Sequence, residues 1–125
     1  MNPKITMGAR IILGLILVVF GLNKFIGFMP ELELPDAANN FFVALIETGY
    51  MMAFIAIVEI VAGVLLLINK YVPLALVIVF PVMLNALLFH LFLDLPNIAP
   101  ALIAVALNIY LFFAHKPRYE GVLSA

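Results

Sequence analysis

The stretch MMAFIAIVEIVAGVLLLI, Met51–Ile68, decides the fold. It is apolar throughout except for one carboxylate, Glu59, placed near its middle. As a helix it rises about 27 Å, close to the roughly 30 Å of a bilayer's hydrocarbon core. An ionisable group at that depth needs a reason, because it is costly in lipid and is retained only when it faces protein or water.

The rest of the chain supports a membrane setting. Of its 125 residues, 67% are hydrophobic and only 10% charged, with a mean hydropathy of +1.28. Soluble domains are about half apolar and a quarter charged, so there is too little polar surface here to face water. A net charge of −1 offers no basic face to nucleic acid, and that class is excluded. With no cysteine, the chain itself has no disulfides, thiolate metal sites, CxxC redox pairs or covalent haem attachment. Lys4 and Arg10 ahead of IILGLILVVFGL resemble a signal sequence, but no small-x-small cleavage site follows. The expectation is therefore a retained first span.

Four segments have the length and apolarity of spanning helices: residues 11–28, 51–68, 72–93 and 98–114. Acidic MPELELPDAANN and the turns NKYVP and DLPN separate them. Within the first connection, Ala37, Ala38, Phe41, Phe42, Leu45 and Ile46 recur on one helical face, with Asn39, Asn40, Glu47 and Thr48 opposite. This predicts a short amphipathic helix over about residues 37–48, lying on the membrane surface with Asp36 as its N-cap. The expected fold is all-α, a single polytopic membrane domain: a four-transmembrane-helix bundle with that surface helix after the first span.

Basic residues set the orientation. Lys4, Arg10, Lys70, Lys116 and Arg118 fall on one side and Lys24 alone on the other. That places both termini in the cytoplasm, with the chain in the plasma (inner) membrane. Glu31, Glu33, Asp36, Glu47 and Asp94 collect outside, and Tyr50, Tyr71 and Tyr119 fall at the interfaces.

Rise per residue then fixes depth. Glu59 and Asn85 each lie about 12 Å below the outer end of their spans, Asn108 about 15 Å, Lys24 about 6 Å and His90 about 5 Å. Small residues share a face with several of them: Ala56, Ala62 and Gly63 with Glu59, Gly14 and Gly21 with Lys24, Ala101 and Ala104 with Asn108. Small residues mark close helix approach, so these polar groups are expected to point into the bundle. The expectation is a Glu59–Lys24 pair hydrogen-bonded by Asn85 or Asn108, either as a working site or as a polar clasp that fixes registry. His90 lies about 140° from Asn85 but aligns with Asp94 one turn later. Two such groups can orient an imidazole, whereas a metal site normally needs three or more ligands, so no metal is assigned.

GLILVVFGLNKFIGF followed by EIVAGVLLLINKYVPLALVIVFPVMLNALLFHLFLD resembles the DoxX-like membrane proteins. The likeness runs in order through Asn23-Lys24-Phe25, Glu59 with Gly63, Tyr71-Val72-Pro73-Leu74, Asn85 and His90. It implies a four-helix bundle with a surface helix after the first span. Some relatives are subunits of thiosulfate:quinone oxidoreductases, and others associate with thiol-handling or oxidative-stress enzymes. Because this chain has no cysteine, thiol chemistry would belong to a partner or a substrate.

Three functions fit these residues. The first is a membrane subunit of a quinone-linked or thiol/sulfur-related oxidoreductase system, with Glu59 and His90 as the catalytic, proton-exchanging groups and Lys24, Asn85 and Asn108 binding substrate. Quinone is the cofactor it would use, with Met51, Met52, Met83 and Phe89 as apolar walls. The second is a protein that binds or transports a small solute through an outward-facing polar pocket. The third is a non-enzymatic anchor or assembly factor. Partners on any of these are the lipid bilayer and a protein partner or second copy; whether the chain is itself an enzyme is left open by the sequence.

Overall fold

Asn2 begins the fold. Its side-chain oxygen accepts from the backbone N–H of Lys4, and Pro3 supplies a first helical residue whose missing N–H costs nothing there. Helix α1 runs Pro3–Ile26 and ends at Gly27, whose positive φ of 67° lets its N–H return to the Asn23 carbonyl. The helix thus starts eight residues ahead of the hydropathy-based boundary at Ile11, because the cap and not apolarity sets its start. The computed structural model describes residues 2–28 and 33–124; Glu31 lies outside the described residues.

Helix α2 spans Asp36–Glu47 and α3 Met51–Leu67, with a bend of 91° between them. Asp36 is not the N-cap. Pro35 occupies that position without a side-chain cap, and Asp36 is the first helical residue, where its charge meets the positive end of the helix dipole. A tight turn with Asn69 and Tyr71 at positive φ (56° and 52°) leads to α4, Val72–Leu93, which passes through Pro81 as one helix. A short 3₁₀ turn, Leu95–Asn97, precedes α5, Ala99–Ala114; a second, Lys116–Tyr119, leads into α6, Glu120–Leu123.

The four long helices form a closed ring in which α1 packs on α3, α3 on α4, α4 on α5, and α5 back on α1. Contact is tightest between α1 and α3, and glycine allows it. A Cβ at Gly63 would sit 2.7 Å from a Val18 methyl and 2.9 Å from the Gly14 carbonyl oxygen. These backbones touch, as small residues permit when apolar packing must hold membrane helices together. Leu13, Leu17, Leu66, Leu76, Val79 and Leu111 fill the centre, fully buried. Both termini lie at one end, the terminal end; α2 crosses the opposite, far end, with Phe41 tilted against Phe89 of α4 and Phe42 edge-on to it.

Apolar side chains also cover the outside. Ile12, Phe54, Leu74 and Leu102, one from each long helix, are about half exposed. A bundle apolar both inside and outside is suited to lipid rather than water. Helices α1 and α4 are each long and apolar enough to cross a membrane, and the count reaches four when α2 with α3, and α5 with Lys116–Leu123, are each taken as one bent span.

At the terminal end, Arg10 donates to the carbonyl oxygens of Leu66 and Leu67, the last turn of α3. Here a cation satisfies carbonyls that the helix leaves unpaired. Tyr119 does not sit at the surface like Tyr50 and Tyr71; it is buried against Phe112 and donates to the Pro73 carbonyl at 2.8 Å. Burial pushes its phenol up to about 12.

Candidate functional site

Glu59 projects from the middle of α3 into the α1–α3 contact. Its Cβ would lie 3.3 Å from a Cβ built on Gly21, so the glycine opens the space it occupies. One turn beyond, α1 supplies Lys24, whose Nζ lies 2.7 Å from Glu59 Oε1 and 3.5 Å from the Phe20 carbonyl oxygen. A charge-assisted bond of that length is a strong one. Exposure is unequal: the Glu59 side chain is 4% exposed and that of Lys24 21%. The carboxylate is sealed, while the Lys24 residue also lines a cleft.

That cleft has a volume of about 350 Å³ and is lined by Lys24, Ile46, Gly49, Tyr50, Met52 and Ala53. It opens where the chain bends from α2 into α3. Its wall is mostly apolar with one cationic donor, a composition common in small-molecule sites. The bend needs Gly49 at a φ of 80°, and Thr48 holds it by donating to the Leu45 carbonyl and accepting from the Met51 N–H.

His90 and Asp94 form a second polar group at the far end. His90 Nδ1 lies 3.2 Å from the Asp94 carbonyl oxygen and 3.4 Å from Asp94 Oδ2. Both oxygens accept, which places the ring proton on Nδ1 and leaves Nε2 as the basic nitrogen of the neutral ring. Asn97 completes the cluster by donating to both Asp94 carboxylate oxygens, at 3.0 and 3.1 Å. Asn97 did not stand out in the sequence; the only signal was its place three residues after Asp94 across a Pro turn. Among the described residues, no three His, Asp or Glu side chains converge.

Asn85 and Asn108 do not join the Glu59–Lys24 pair. On α4 the face buried in the bundle is marked by Val72, Ala75, Leu76, Val79 and Met83, while Phe89 is covered separately by α2; Asn85 lies about 200° around from Met83. It is exposed on the outside of the helix. Asn108 is fully buried, but its amide nitrogen lies 3.4 Å from the Leu76 carbonyl, one turn from the terminal end of α4, and its Oδ1 has no partner among the described residues. A depth of about 15 Å from Ile98, in a helix of only 16 residues, about 24 Å long, puts Asn108 past the midpoint of α5, toward the terminal end. Of the expected apolar walls, Met52 lines the cleft, Met83 belongs to the core, and Phe89 packs on α2.

The apolar exterior, the helices that qualify as spans and the buried ion pair together define a polytopic helical membrane protein. The DoxX family profile matches residues 5–91, well over half of the chain and inclusive of Lys24, Glu59, Asn85 and His90. The chain belongs to the DoxX family. No curated protein and no solved structure gives a match.

Proposed function

We propose that this chain spans the plasma membrane four times with both termini in the cytoplasm, and serves a quinone-linked or thiol/sulfur-related oxidoreductase system as its membrane subunit. The observation that carries the proposal is Lys24, ion-paired with a sealed carboxylate and at the same time lining an apolar cleft. A quinone head group fits the donor set: one ammonium to bond a ring oxygen, with Ile46, Met52 and Tyr50 against the ring. When bound, the quinone supplies a two-electron, two-proton redox couple. The chain's own residues bind and orient it through Lys24, hold Lys24 in place through Glu59, and exclude water from the carboxylate. Proton exchange falls to Glu59, paired with Lys24, and to His90 in the separate far-end cluster.

Orientation is supported by the basic residues: Lys4, Arg10, Lys70, Lys116 and Arg118 lie at or near the terminal end, against Lys24 toward the other. Protein purified from native membranes is expected to carry extractable quinone, and Glu59→Gln to lower quinone-linked turnover in those membranes. Absence of both results contradicts the proposal.

A second reading rests on the burial of Glu59 between α1 and α3. There the pair is a clasp that fixes helix registry, and the chain is an anchor or assembly factor. Under that reading the purified protein brings a protein partner but no bound small molecule.

A further inference from the structure

One polar side chain faces the wrong way. Away from the first and last turns of the four long helices, Asn85 is, among the described residues, the only polar side chain exposed on the outside of the bundle. It lies in α4, a helix that qualifies as a span by itself, about 12 Å from the Leu93 end and 20 Å from the Val72 end. In a spanning helix that depth falls within the hydrocarbon core, and among the described residues no side chain or backbone group bonds the amide. An amide left bare in hydrocarbon is costly.

The residues around Asn85 are spaced as a seam. Leu74, Ile78, Pro81, Asn85, Leu88 and Phe92 are all exposed and follow one another at intervals of four, three, four, three and four. A 4-3 repeat of period 3.5 keeps one face of a helix in contact with a second helix over its length, in the left-handed crossing also common among membrane helices. The corresponding outward faces of α1, α3 and α5 are apolar. They have lipid as a sufficient partner; the α4 face does not.

We infer that the α4 seam of Leu74, Ile78, Pro81, Asn85, Leu88 and Phe92 is the interface of a parallel homodimer, in which the Asn85 amides of two copies hydrogen-bond across the two-fold axis. A second copy is the occupant the chemistry selects. An amide carries both donor and acceptor, so it is complementary to itself. Two copies inserted with the same orientation are related by an axis along the membrane normal, which brings equal depths face to face. Asn85 then meets Asn85 of the partner by symmetry. Asn in a seam position sets register and partner number in other helical assemblies.

The test uses the full chain in lipid bilayers, and the absence of native cysteine makes it direct. Single cysteines at Ile78 and Leu88 are expected to form disulfide-linked dimers on mild oxidation, while cysteines at Leu15 on α1 and Leu102 on α5 are not. In energy-transfer titrations against protein-to-lipid ratio, Asn85→Leu is expected to shift the equilibrium about tenfold toward monomer, with Asn85→Gln retaining dimer. Asn85→Leu should leave the unfolding of the monomer unchanged, since Asn85 has no partner among the described residues. Equal cross-linking at all four sites, dimerisation indifferent to Asn85→Leu, or a chain that stays monomeric at every ratio overturns the inference. Cross-linking of the seam only to a different protein also overturns it.

Discussion

Removing the two ends of the Lys24–Glu59 pair should cost different amounts. At the 2.7 Å separation the gross attraction is roughly 6 kcal/mol at an effective dielectric constant of 20, much of it offset by desolvation. Lys24→Met leaves a carboxylate that is 4% exposed without its cation, and stranding a buried charge in this way costs about 3–5 kcal/mol. Glu59→Gln strands the lysine, but that side chain is 21% exposed and can extend its ammonium into the cleft, so the cost falls to about 1–2 kcal/mol. The double variant removes the charge problem altogether and should be more stable than Lys24→Met alone. Equilibrium unfolding in mixed micelles, by titration with a denaturing detergent, measures all four proteins. A loss from Glu59→Gln that equals or exceeds that from Lys24→Met, or a double variant whose loss is the sum of the singles, refutes the coupling.

Other outcomes follow from the same structure. Gly63→Ala puts a methyl 2.9 Å from a backbone carbonyl oxygen and should destabilise by about 1–3 kcal/mol, whereas Gly8→Ala, with nothing within 4 Å, should gain about 0.5–1 kcal/mol in the same unfolding assay. Tyr119→Phe should cost about 1 kcal/mol through loss of the bond to the Pro73 carbonyl. Since the Tyr119 phenol is raised from 10.0 to about 12, its contribution is complete below pH 10 and disappears as pH rises to about 12; tyrosinate absorbance should show a step near pH 12 that Tyr119→Phe removes. Single cysteines at Asn2 and Lys70 should react with an impermeant reagent from the cytoplasmic side only, and one at Asp36 from the opposite side only; any other pattern means the proposed orientation is wrong.

Helix positions were legible because hydropathy and turn residues act locally: α4 occupies Val72–Leu93 and α3 ends one residue before Ile68. The start of α1 was not, since Asn2 and Pro3 fix it by capping, which a search for apolar runs passes over. Glu59 and Lys24 could be paired from sequence because each stands near small residues at compatible depths. Asn85 and Asn108 carried the same chemical signal and went elsewhere. For Asn85, α4 is so uniformly apolar that its sequence barely marks an inner face; only packing against α3 and α5 shows that the amide points outward. For Asn108, the shortness of α5 moved it past mid-depth. The roles of Arg10 and Asn97 depend on contacts across a helix end and a turn, which periodicity does not encode.

The most direct test of the central claim is a nitrogen–carbon dipolar measurement by solid-state NMR in lipid bilayers, between the Lys24 Nζ and the Glu59 carboxyl carbon. A bonded ammonium and carboxylate predict a strong coupling that vanishes in Glu59→Gln. A Lys24 ammonium showing no coupling to that carbon in the parent protein would contradict the account.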